Sequence, residues 1–219
     1  MKTAMSIPTS SIPPARSTYR HGDLRRALLG AGVELARGGG PEAVVLREAT
    51  RRAGVVPNAA YRHFASRQAL LQAVRAAALS EAATAMEAEL AALPTGQAPL
   101  DHARACVRAV GTGYLRFALT QTGLFRTAFG SMLDVSGAPD EAKAGRSGLN
   151  PFELLGAALD RLVQAGGLPP ERRPGAEYLA WSAVHGMALL VIEGPLRGLE
   201  AEEAHALGQR LLDMVERGL

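Results

Sequence analysis

Hydrogen-bonding and cationic side chains gather around Gly54 in this 219-residue chain: Arg47 and Arg51 before it, Asn58, Arg62 and His63 after it, and Arg67 slightly farther on. An amide such as that of Asn58 can bond the edge of a base. A guanidinium bonds guanine or a phosphate, and a small residue such as Ala59 leaves room for close approach. Tyr61 adds a ring that can pack and a hydroxyl that can reach a phosphate. These are the groups of a nucleic-acid-reading surface.

Such groups work only if an element aims them. A short basic helix, a glycine turn and a second short helix make a helix-turn-helix, whose second helix enters the DNA major groove. Gly54 suits the left-handed backbone at the end of the first of these helices, and Pro57 suits the first turn of the next. From there Ala60, Phe64 and the pair Val55 and Val56 supply an apolar side, with Asn58, Ala59, Arg62 and His63 largely opposite. Arg47 and Arg51 lie one turn apart. The bland account is a solvated basic surface; phosphate contact is favoured because positioning contacts dominate such interfaces. Ser66 fits the N-cap of a long helix, with Arg67 in its first turn as a phosphate clamp. The expected DNA-binding set is therefore Arg47, Arg51, Pro57, Asn58, Ala59, Tyr61, Arg62, His63 and Arg67.

At these residues the chain resembles the TetR family of bacterial transcriptional repressors. Tyr61-Arg62-His63-Phe64 is similar to the Tyr-x-His-Phe end of that family's DNA-binding signature, and the runs 21–29 and 46–55 resemble its first two helices. The resemblance is close over residues 20–75. It returns at Trp181-Ser182-Ala183-Val184-His185-Gly186, similar to the Trp-x-x-x-His-Gly segment of one subgroup. Val45 and Val56 stand where the family usually has Ser or Thr as N-caps, and a missing cap typically costs about 1 kcal/mol. Ala49 and Ala60 are smaller than the usual aliphatics there. The resemblance implies a ligand-responsive DNA-binding dimer whose last two helices pair into a four-helix bundle.

Composition agrees with an all-α fold. The chain is 47% hydrophobic, rich in Ala and Leu and poor in β-branched residues and alternating runs. Its net charge of +3 is uneven: residues 1–75 hold 12 of the 24 basic residues but only 4 of the 21 acidic ones. A basic front on an acidic body suggests that only the front meets a polyanion. A single cysteine, Cys106, and no leader pattern point to the cytoplasm. The most apolar stretch, 178–192, is too short for a bilayer.

About nine helices are expected, divided into a flexible arm (1–18), a three-helix DNA-binding domain (19–66) and a ligand-binding and dimerisation domain (67–219). The arm either remains disordered or extends Arg16, Tyr19, Arg20 and His21 along the DNA. The first helix, 23–37, should stop at Gly38-Gly39-Gly40-Pro41. A helix to about 93 links head and body as one lever about 40 Å long. Cys106, Val110, Tyr114 and Phe117 form an apolar stripe on a helix over 100–121. Such stripes are more often plain core than ligand wall, but Gly111 and Gly113 tilt the reading towards a cavity. The expected ligand-binding set is Met86, Cys106, Val110, Tyr114, Phe117, Phe125, Phe129, Phe152, Leu155 and His185. Residues 134–148 read as a mobile loop, either at the pocket mouth or on the surface. A helix over 176–193 is apolar nearly all round and so needs a second burial partner. With a final helix over 201–217 it gives a dimer interface of Trp181, Val184, Gly186, Ala188, Leu207, Leu211 and Met214.

No nucleophile elbow, phosphate loop, dinucleotide fingerprint or metal-ligand spacing is present, and His185 alone reads better as a hydrogen-bonded histidine than as a ligand. No enzyme activity, metal or cofactor is expected. The expected function is a sequence-specific regulator, most simply a repressor released by an apolar or aromatic small molecule. The rival is an architectural DNA-binding protein of low specificity without a small-molecule ligand.

Overall fold

The computed structural model describes residues 21–130 and 141–219. The expected arm and the first part of the 134–148 loop lie outside them. The described residues form α1 (His21–Ala43), α2 (Leu46–Arg52), α3 (Pro57–Tyr61), α4 (Arg67–Ala91), α5 (Pro99–Thr120), α6 (Thr122–Phe129), α7 (Pro151–Gln164), α8 (Ala176–Ile192) and α9 (Ala201–Gly218), with 3-10 turns at Glu141–Lys143 and Pro170–Arg172 and no strand. None of these helices is long and apolar enough to cross a membrane.

α5 is the hub of the body, packed against α4, α6, α7, α8 and α9. Its glycines make this possible. A Cβ at Gly113 would run into the α4 backbone at Met86, and one at Gly111 into the Leu212 side chain, so both permit close helix approach. α4 begins at Ser66, whose hydroxyl accepts the Ala69 N–H at 3.1 Å. Its inner residues Leu70, Val74, Ala78, Leu79, Ala82 and Met86 run from head to body through one continuous core.

α1 passes the expected stop. It stays helical through Gly38 and Gly39 and breaks only at Gly40, where φ is +70°. Tertiary contacts override glycine's weak helix propensity. Gly123 of α6 touches the Ala36 and Arg37 carbonyls, and a Cβ there would collide with both. The Arg37 guanidinium donates to both Glu81 carboxylate oxygens at 3.0 Å and also to Gln121.

The described part of the expected mobile loop is pinned to α4, which corrects that expectation over 141–148. Ser80 donates to the Ala144 carbonyl at 2.6 Å. The Glu87 carboxylate accepts from the Arg146 N–H at 2.9 Å, the Ser147 N–H at 2.8 Å and the Ser147 hydroxyl at 2.6 Å. Burial alone would raise the Glu87 pKa, but these bonds hold it below the ordinary carboxylate value. α7 then starts with a capping box: Asn150 accepts the Phe152 and Glu153 N–H groups, and Glu153 accepts the Asn150 N–H at 2.8 Å.

Candidate functional site

The corner between α2 and α3 is closed by backbone bonds. Gly54 sits at φ +68°, its N–H donates to the Arg51 carbonyl at 3.3 Å, and Val55 N–H donates to the Thr50 carbonyl at 3.0 Å. Ala60 and Phe64 are buried against the head's core, with the Arg25 guanidinium 5.1 Å above the Phe64 ring. Asn58, Tyr61 and Arg62 consequently face outward, with Ala59 and His63 half-exposed. The Pro57 side chain lies outside the described residues. Neither Val45 nor Val56 makes a side-chain cap bond, and Val56 is 68% exposed, not part of the apolar side assigned to it.

The four arginines of the expected DNA-binding set meet different surroundings. Among the described residues, Arg47 and Arg62 are exposed and have no ion-pair partner. Arg51 donates twice to Glu48, at 2.6 and 2.9 Å, and Arg52 reaches the same carboxylate at 3.3 Å. The Arg51 hydrogen bonds pull the Glu48 pKa down to about 2. Arg67 is committed elsewhere. It donates to the Val44 and Pro41 carbonyls, each at 2.8 Å, and to Glu42 at 3.3 Å, so it clasps the corner between α1 and α2.

A cavity of about 150 Å³ lies among α4, α5, α6, α7, α8 and α9. Six residues of the expected ligand set line it: Met86, Val110, Tyr114, Phe129, Phe152 and Leu155. Four do not. Phe117 is buried in the core, and Cys106 faces His102 Nε2 at 3.5 Å and Arg161 Nη1 at 3.8 Å. Phe125 and His185 stand behind the wall, in tilted or edge-on ring contact with Tyr114 and Phe129 at 5.1–6.4 Å between centroids. The cavity meets α5 over Val107, Val110, Gly111 and Tyr114, less than one residue's turn round the helix from the expected stripe. Arg108, Lys143, Asn150, Glu153, Leu212, Val215 and Glu216 also line it and were missed. α9's apolar pattern pointed to Val215, but nothing local in the sequence couples α9 to α5.

The polar centre of the wall is the Tyr114 hydroxyl, buried with the rest of its ring. It accepts from Trp181 Nε1 at 3.2 Å. Its other partner is His185 Nδ1 at 2.7 Å, and the neutral tautomer with hydrogen on Nε2 lets Tyr114 donate there, so that the buried phenol uses its proton as well as a lone pair. Burial raises the Tyr114 pKa and lowers that of His185, keeping both neutral near pH 7. At the α9 end Arg108 donates to Glu216 at 2.8 Å and to Asp213.

The expected dimer set divides. Val184 and Ala188 are covered by their own chain, so the inner face of α8 claims them and not a partner, and Trp181 with Val184 lines the cavity. Outward on α8 stand Tyr178, Leu179, Leu189 and Leu190, with Gly186 half-buried between them. On α9, Met214 is exposed and Leu207 and Leu211 are half-buried. The four outward residues of α8, Tyr178, Leu179, Leu189 and Leu190, all lie outside the expected set, whereas the three expected on α9 keep some exposure.

Residues 28–74 match the family model described as bacterial regulatory proteins, tetR family, and residues 107–215 match that of the tetracyclin repressor-like C-terminal domain. No curated protein sequence matches the chain closely. Among solved structures, the chain is similar to a protein of unknown function from Rhodococcus sp. RHA1 (28% identity, TM-score 0.69, covering 93% of this chain and 99% of that one). It is also similar in fold to a TetR protein from Acinetobacter baumannii AYE in complex with minocycline (21% identity, TM-score 0.58, covering 89% and 91%). A third is the regulator FadR from Bacillus subtilis in complex with stearoyl-CoA (15% identity, TM-score 0.62, covering 89% and 98%).

Proposed function

Because the chain belongs to the tetR family of bacterial regulatory proteins, which are DNA-binding regulators and not catalysts, we propose that it is a cytoplasmic, homodimeric repressor released from its operator when a small apolar or aromatic molecule fills the cavity. The observation that carries this reading is the dual membership of α4. Its Leu79 and Met86 wall the cavity, while Arg67 at its first turn holds the corner from which α2 and α3 project. A ligand that favours one position of α4 therefore biases the pose of the reading helix, and a few kcal/mol of differential affinity is enough.

In this reading residues 19–66 form the DNA-binding unit and 67–219 the effector and dimer body. Asn58, Ala59, Arg62 and His63 meet bases; Arg47 and Tyr61 hold phosphates. Two copies joined through the outer faces of α8 and α9 place their α3 helices about 34–36 Å apart, or at a multiple of that spacing. That two similar structures hold small molecules supports an effector site here.

Selection of binding sites from random oligonucleotides by the purified chain tests this. Enrichment of a two-fold symmetric site, bound at least about 10³-fold more tightly than random duplex, is expected. Equal binding to every duplex would replace this reading with that of an architectural DNA coat.

A further inference from the structure

The charged side chains on the cavity wall are all engaged. Arg108 is held by Asp213 and Glu216. Glu153 accepts the Asn150 N–H, and Lys143 has a partner of its own. The two basic and two acidic side chains on the wall cancel, and Asp213 beside Arg108 tips that end negative. A carboxylate or phosphate moving in would leave water without meeting an unbalanced cation, which is strongly unfavourable.

The other end is aromatic. Trp181 lies 6.2 Å from Phe152, with the rings near perpendicular, and 6.5 Å from Phe129, which is 5.4 Å from Tyr114. Ring edges and faces disposed this way accept another ring in offset or edge-on contact. The volume of about 150 Å³ matches that of apolar protein cavities that admit benzene.

We propose that this cavity selects an uncharged, one-ring aromatic molecule seated among Phe129, Phe152 and Trp181, and that it rejects anionic aromatics because Asp213 and Glu216 already neutralise Arg108. The inference rests on the cavity being the effector site and adds the chemistry of its ligand.

Trp181 is the chain's one tryptophan and stands on the cavity wall, so its emission reports occupancy without DNA. Benzyl alcohol, benzoate and cyclohexylmethanol are titrated into the full chain. Benzyl alcohol is expected to saturate the signal at concentrations at least tenfold below benzoate and several-fold below cyclohexylmethanol. In the double variant Asp213→Asn, Glu216→Gln, the amides keep the hydrogen-bonding shape but unmask Arg108. Benzoate affinity should then rise at least tenfold while benzyl alcohol affinity holds. The proposal is overturned if benzoate binds the unaltered chain as tightly as benzyl alcohol, if benzyl alcohol gives no saturable change up to its solubility, or if the folded double variant gains nothing for benzoate. Should that variant not fold, the ratio in the unaltered chain decides alone. Operator binding separates this failure from that of the regulatory reading. Release by benzoate but not by benzyl alcohol sinks the ligand class only; saturable benzyl alcohol binding with the operator still held sinks the regulatory role only.

Discussion

Arg62 and Arg67 are near neighbours in the chain with opposite surroundings. The first projects from the end of α3 without an ion pair, and the second is spent on two carbonyls of the corner between α1 and α2. Arg62→Ala should therefore cost discrimination between operator and random duplex, whereas Arg47→Ala, at a position equally free of ion pairs but assigned to phosphate, should weaken binding to both alike and lower the salt slope by about one. Arg67→Ala should instead lower stability by about 1–3 kcal/mol, a value reduced because its side chain is 41% exposed, and leave that slope intact. An unchanged melting temperature with a reduced slope would return Arg67 to the phosphates. Asn58→Ala should cost about 1–3 kcal/mol of discrimination between operator and random duplex, with little change on the random one. Charge and type at these positions are legible in the sequence; partners are legible only when local. Glu48 and Arg51, three apart on a helix, could be paired by inspection, whereas the carbonyls that hold Arg67 lie 23 and 26 residues away. The same limit applies to Phe125. It was expected in the ligand set, but it is buried behind Tyr114, so Phe125→Ala should cost about 3–5 kcal/mol in denaturant unfolding.

At the level of elements the sequence speaks most clearly where caps and breakers act locally. Ser66, Pro57 and Asn150 all begin helices where their chemistry says they should. Gly38 and Gly39 fail as stops because α6 lies against that stretch of α1 and holds it helical, a contact that no local pattern encodes. The cavity face of α5 was misjudged by a fraction of a turn for a similar reason. Apolar periodicity gives the centre of the buried arc, not which part of it borders a void. The missing cap of α3 was legible, and its repair is a clean test. Val56 is exposed, so Val56→Thr sacrifices little packing and should raise stability by about 1 kcal/mol in a thermal melt.

For the molecule as a whole, the proposed dimer rests on the outward apolar residues of α8 and α9. Leu179 and Met214 are 67% and 61% exposed in the single chain. Arginine at either should convert the dimer to monomers by sedimentation and reduce operator affinity, because one reading helix must then bind alone. Acid should act through a different group. Burial holds the His185 pKa below its ordinary 6.5, so the unfolded chain takes the proton first. Its contribution is complete above about pH 6.5 and is lost as pH falls from there towards the folded value. His185→Gln should flatten that part of the fall in urea midpoint between about pH 7.5 and 5.5. The seam where Gly123 meets the carbonyls of Ala36 and Arg37 bears on engineering. Grafting residues 21–66 onto a foreign trunk would set those carbonyls against whatever side chain occupies the corresponding place. A transplantable reading unit from this chain must therefore carry α6 with it, although nearly sixty residues separate the two pieces.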